Sequence, residues 1–117
     1  MLQNDIYIVD YKTNTWFDLS LPLPYFVHGH ALLSLNDEIY VLGGRGDHST
    51  FYKDVYRLNS SMRWERLTDM TVGRYGITNS SVALDGYIWT CGGHSGFDYL
   101  KSVEKYDPVK DKWTKIS

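Results

Sequence analysis

Short apolar runs broken by polar, glycine- and asparagine-containing turns recur along the chain, and none holds a 3.6-residue period long enough for an amphipathic helix. "EIYVLGG" (Glu38 to Gly44) is apolar on both alternating faces at Ile39, Tyr40, Val41 and Leu42, the pattern of a strand covered above and below. It then runs into two glycines, where the backbone turns with positive φ or lies too close to a neighbour for a Cβ. "YIWTCGG" (Tyr87 to Gly93) repeats the pattern 49 residues later. Before each copy stands another strand-like run, "HALLSLN" (His30 to Asn36) or "NSSVALD" (Asn79 to Asp85), ending in a turn at Asn36-Asp37 or at Asp85-Gly86, the second a strong hairpin signal. After each come "DVYRLN" from Asp54 or "SVEKYD" from Ser102, and then "WERL" from Trp64 or "WTKI" from Trp113. The period therefore resolves into four short strands, a to d.

A partial copy opens the chain. "DIYIVD" from Asp5 matches strand c, and "WFDL" from Trp16 matches strand d. The pattern predicts an all-β protein in three parts: strands c and d of an incomplete unit over residues 1–20, a complete unit over 21–70 and a second over 71–117. Four antiparallel strands in nearly fifty residues, without a helix, make one blade of a β-propeller. In its double glycine after a hydrophobic strand, its apolar-x-x-apolar strand c and its tryptophan at strand d, the sequence resembles kelch repeats, with "RYG" at Arg74 and "ALDGYIW" completing the pattern in the last copy. Trp16, Trp64 and Trp113 are then structural, packing blade on blade. Closed propellers have about four to eight blades. Two blades and a c–d half blade thus read as part of a longer kelch propeller.

Composition narrows the function. Twelve Lys+Arg against fourteen Asp+Glu, with both signs scattered, leave no basic stripe for nucleic acid. Apolar runs such as Ile39 to Leu42 are too short to span a bilayer, and the N-terminal residues lack a signal-peptide pattern, so the cytosol is the default compartment. Cys91 is the sole cysteine, which leaves no disulfide framework, and its place in strand b predicts a small buried hydrophobe. Ten Tyr, four Trp and four Phe beside ten Gly fit short strands and tight loops. His28, His30, His48 and His94 lack a carboxylate or thiolate partner at metal-site spacing, so no metal and no cofactor are expected.

The resemblance supplies the candidate site. In kelch-like adaptors partner proteins bind the face made by the b–c and d–a loops. Matching positions here are Arg74 and Tyr75 before strand a, with His94 and Tyr99 in the b–c loop; counted at the same offset, the preceding blade offers Tyr25, Phe26, Arg45 and Thr50. With Tyr25 in place of an arginine, a twofold arginine clamp for an acidic peptide is absent. The tripeptide Arg45-Gly46-Asp47 falls where the repeat puts an ordinary b–c loop. The resemblance implies a non-enzymatic protein-interaction module, the substrate-recognising part of a BTB-carrying adaptor for a cullin-type ubiquitin ligase. An actin or cytoskeletal scaffold is the alternative, and a sugar-acting enzyme or copper oxidase is disfavoured because no carboxylate pair or nucleophile–base set stands out.

Incomplete closure leaves apolar faces and an unpaired strand c in water. The 117-residue chain alone is expected to be poorly folded or self-associated through its open blade edges. Sedimentation velocity with a thermal melt checks this, and a monodisperse monomer with one cooperative transition refutes it.

Overall fold

The computed structural model describes the backbone of residues 3–10, 15–46 and 50–116, and side chains from residue 28 onward within those ranges. The described residues form ten strands and no helix: β1 (Gln3–Asp10), β2 (Thr15–Val27), β3 (Ala31–Leu35), β4 (Glu38–Leu42), β5 (Val55–Leu58), β6 (Trp64–Arg66), β7 (Ser81–Leu84), β8 (Tyr87–Cys91), β9 (Val103–Asp107) and β10 (Lys112–Lys115). Strands β3 to β6 make one four-stranded antiparallel sheet in chain order, and β7 to β10 make another. These are the two complete blades that the repeat predicts. Strands β1 and β2 pair as a separate two-stranded sheet, and β2 continues to Val27, beyond Ser20, where strand d of the half blade was expected to end. Trp16 lies in β2 with its side chain outside the described residues.

Pairing registers superimpose one blade on the other. Tyr40 sits between Leu33 and Arg57 as Trp89 sits between Val82 and Lys105, while Trp64 lies opposite Leu58 as Trp113 lies opposite Tyr106. Each a–b hairpin turns through two residues of positive φ, Asn36 and Asp37 in the first blade and Asp85 and Gly86 in the second. Both central residues in the left-handed region match the twist of the flanking strands, and Asn, Asp and Gly are the residues that tolerate it.

The double glycine marks a close approach between blades. A Cβ on Gly43 would stand 2.6 Å from the Arg74 carbonyl oxygen, and the φ of Gly43 is 57°. The next amide, Gly44 N–H, donates to that same carbonyl at 2.6 Å. Any side chain at Gly43 would push the second blade off the first.

Hydrophobic burial concentrates in this joint. Ala31, Leu35, Tyr40, Leu42 and Val55 of the first blade form one cluster with Met70, Ile77, Ile88, Tyr106 and Trp113. Burying a large apolar side chain of this kind contributes about 1.5–3 kcal/mol. Tyr40 and Tyr106 meet edge to face at 6.3 Å, and Tyr106 tilts against Trp113 at 5.0 Å. Trp89, Tyr40's counterpart, is only half-buried because its face of the sheet points away from the first blade; there Lys105 lies over the rings of Tyr87 and Trp89.

At the rim of the joint, Thr68 is held by the second blade. Its carbonyl accepts from Trp113 Nε1 at 2.9 Å, while its N–H and hydroxyl donate to the Asp111 carboxylate at 3.0 and 2.9 Å. The Tyr106 hydroxyl adds a third donor to Asp111 at 2.6 Å. Burial pushes Asp111 upward, but these donors outweigh it and hold the carboxyl below its ordinary range. Burial, then the bond to Asp111, drives the Tyr106 phenol well above its ordinary value.

A carboxyl easier to ionise in the folded state contributes stability that is present above its unfolded pKa of about 3.9 and is lost as pH falls through the lower folded value. Acid unfolding should therefore show an Asp111-dependent loss below about pH 4. Asp111→Asn should flatten that loss, and Asp111→Ala should cost about 1–3 kcal/mol at neutral pH, since it strands the Tyr106 hydroxyl. Urea melts across a pH series check both outcomes.

Candidate partner-binding face

The b–c and d–a segments form one end of each blade, and the structure knits them with isolated two-residue bridges. In the second blade Tyr75 pairs with His94, and His94 pairs with Tyr99. In the first, His28 pairs with Arg45, and Arg45 pairs with Phe51. Two equivalent three-residue rungs result, His28–Arg45–Phe51 and Tyr75–His94–Tyr99.

The rungs join side by side through their rings. Phe51 contacts Tyr75 at 5.4 Å, Tyr75 contacts His94 at 5.4 Å, and His94 meets Tyr99 edge-on at 4.8 Å. The Arg45 guanidinium lies 5.7 Å from the ring centres of both Phe51 and Tyr75. Cation–π contacts of this kind contribute about 0.5–1 kcal/mol each at exposed sites. Phe51 is seated on the next blade's loop: a Cβ on Gly96, whose φ is +97°, would stand 2.4 Å from the Phe51 ring. The outcome is a continuous aromatic strip, with one cation set into it, that crosses two blades and ends at Tyr99, 85% exposed.

This geometry corrects four of the candidates read from sequence. Arg74 does not reach the loop face: it is fully buried, and all five of its N–H donors are engaged. Nε and Nη2 reach Glu104 Oε2 at 3.0 and 2.9 Å, Nη1 donates to the carbonyls of Gly92 and Ser102, and Nη2 donates to the Ser102 hydroxyl. Glu104, equally buried, turns its other oxygen to the Thr71 N–H at 2.8 Å. The pair ties strand β9 and the end of β8 to the crossing from the first blade.

Thr50, matched to Tyr99 by counting, is displaced in that role by Phe51, because the first b–c loop is one residue longer between its bridge partners. Tyr25 and Phe26 were matched to Arg74 and Tyr75, but the bridges align Tyr75 with His28 and hence Arg74 with Val27. Tyr25 and Phe26 belong to the backbone of β2, and their side chains lie outside the described residues, as do His48 and Asp47. Arg45, Tyr75, His94 and Tyr99 stand together on the strip. Phe51 is its member that sequence matching passed over, and His28 joins the rung beside it through the backbone bridge to Arg45. The sheet rung Arg45–Phe51 has no signal in the sequence beyond an aromatic residue near the end of the loop.

His30, two residues from exposed His28, turns inward, and burial first, then the neighbouring His28, depresses its pKa. Cys91 is half-buried, its Sγ 3.6 Å from the Ser80 carbonyl. At the opposite end of the first blade a groove of about 480 Å³ is lined by Asp37, Glu38, Ile39, Leu58, Met62 and Glu65, with Leu58 at the register position that Tyr106 holds in the second. Two of its acids, Glu38 and Glu65, already pair with Arg57.

Double glycines at the blade joint, four-stranded units in chain order and a tryptophan on each outer strand agree with the comparison to known proteins: the KLHDC2/KLHL20/DRC7 Kelch-repeats domain matches residues 1–117. The chain belongs to the kelch-repeat family. Kelch-like protein 25 of Xenopus tropicalis is 30% identical over 96% of the chain. Kelch-like protein 35 of Mus musculus is 34% identical over 74% of it, and Kelch-like protein 40 of Xenopus laevis 34% over 79%. The chain spans 20%, 14% and 15% of the lengths of these three relatives. Its two complete kelch blades form a module of the protein-interaction type.

Breaking a buried ion pair costs about 3–5 kcal/mol because the surviving charge is left without its partner. Arg74→Ala should therefore destabilise the kelch fold by that amount, and Glu104→Leu added to Arg74→Met should recover most of the loss. Chemical melts of the single and double variants test the structural assignment.

Proposed function

We propose that this kelch segment recognises a partner or substrate protein through its b–c and d–a loop face, as the target-binding part of an adaptor for a cullin-type ubiquitin ligase, without catalysing a reaction itself. The observation that carries this reading is the strip Arg45–Phe51–Tyr75–His94–Tyr99, in which side chains from two blades make one surface. Aromatic and arginine side chains are the usual energetic centres of protein interfaces, because each brings a large contact area with few rotatable bonds. Several of these rings are already braced by their neighbours, which lowers the entropy lost on binding. Membership among kelch repeats and similarity to kelch-like proteins support the interaction role; the ligase role rests on the resemblance to the adaptor class.

The test uses the protein in cells and in purified form. Proteins retained by the wild-type chain are compared with those retained by Tyr99→Ala and Arg45→Ala, and their ubiquitylation is measured with and without the chain. For a directly bound partner, Tyr99→Ala should weaken affinity by about tenfold or more with an unchanged melting temperature. Binding that ignores both substitutions refutes the strip as the recognition face. Cosedimentation with actin filaments, insensitive to either substitution, would instead favour the scaffold.

A further inference from the structure

The b–c loop of the second blade, Ser95 to Tyr99, projects two large rings into solvent, Phe97 at 90% and Tyr99 at 85% exposure. The loop beneath them is tied by a run of hydrogen bonds from Ser95 to Asp98 and at Leu100. Ser95 N–H donates to the Asp98 carbonyl at 3.0 Å, and the Ser95 hydroxyl oxygen accepts from the N–H groups of Phe97 and Asp98. Leu100 N–H closes the base on the Gly93 carbonyl at 2.8 Å. The remaining tie is a side chain: Gly96 N–H donates to His94 Nδ1 at 2.9 Å.

Only an imidazole whose Nδ1 carries no proton can accept that bond. Histidine is also the side chain that changes charge between about pH 5 and 8. A protonated His94 would turn an N–H toward the Gly96 N–H, replacing an attraction with a donor–donor clash. We propose that His94 is a proton-sensitive latch: neutral, it holds the Ser95–Tyr99 loop in its binding conformation; protonated, it releases the loop, so that partner recognition through this face weakens in acid. The inference rests on the proposed recognition role only for its last clause.

The surroundings favour release over retention. Tyr75 from the crossing into β7 and Tyr99 from the same loop face the ring, and Arg45, a cation on the first blade's loop, lies over the ring of that Tyr75. Arg74, the other nearby cation, is fully paired to Glu104 below the surface. Among the described residues no carboxylate, Asp98 included, stands within ion-pair reach of His94. The tyrosine rings beside His94 offer no carbonyl or carboxylate oxygen to replace its Nδ1, so protonation leaves Gly96 N–H without its acceptor. Gly96 in turn seats Phe51, so release reaches the neighbouring rung.

The experiment reads the latch without any partner. Protonation of His94 is followed by its ring signals in NMR on the full chain from about pH 8 to 5, while Gly96 amide exchange, corrected for its intrinsic pH dependence, reports the bond. Protection of Gly96 should fall by about tenfold or more in step with the His94 titration. His94→Asn places an oxygen that can accept from the amide two residues on but takes up no proton, so Gly96 should stay protected at every pH. His94→Phe keeps a ring without an acceptor, so Gly96 should be unprotected throughout. Gly96 protection that ignores the His94 titration, or the same pH response in His94→Asn, overturns the latch. A partner that binds the strip equally at both ends of the pH range, while the latch titrates as expected, removes the recognition clause alone.

Discussion

The joint between the two blades depends on one residue that serves both. The Arg74 backbone carbonyl accepts from Gly44 of the first blade, while its guanidinium is spent wholly on the second, on Glu104, Gly92 and Ser102. A buried guanidinium is stable only when each of its donors is met, and here the set of acceptors fixes the ends of β8 and β9 at one distance from the crossing segment. Double glycine and buried arginine are therefore one device: the missing Cβ lets the carbonyl in, and the ion pair keeps it there.

Recognition chemistry follows from that depth. Because Arg74 points inward, Tyr75, the next residue, points to the loop face, where it meets Phe51 on one side and His94 on the other. The strip continues across the blade boundary only because the crossing segment is held hard against the first blade, its Arg74 N–H on the Tyr52 carbonyl at 3.1 Å. A surface meant to be rigid is assembled here from loops, and it borrows that rigidity from buried hydrogen bonds a few ångströms beneath.

Much of this fold was legible because its anchors recur in the sequence with little drift: glycine pairs where backbones touch, tryptophans on the outer strands, apolar runs on covered strands. The matching of strands a to d between the two complete blades followed from them. Loop positions did not, since anchors count residues between strands and say nothing of where an insertion falls; a longer b–c loop moves the surface role from Thr50 to Phe51, and a longer approach to β7 moves Arg74's counterpart from Tyr25 to Val27. The depth of Arg74 was hidden for another reason. An isolated arginine reads as a surface charge until its partner is known, and Glu104 lies 30 residues further on, in a strand where it looks like one polar position among several.

The Thr68 clamp also orders events in time. Thr68 is a first-blade residue whose carbonyl is sealed by Trp113, 45 residues further along the chain. At the usual pace of synthesis, about 5–20 residues per second, the segment leaving β6 waits roughly 2–9 s for its clamp to be made. Until the second blade is made, Tyr40 and Leu42 lack the Met70, Ile77, Ile88 and Tyr106 side chains that cover them, and uncovered apolar surface of this kind is where nascent chains misassociate. A propeller built this way closes each blade with its successor, so its vulnerability during synthesis always lies one blade behind the ribosome.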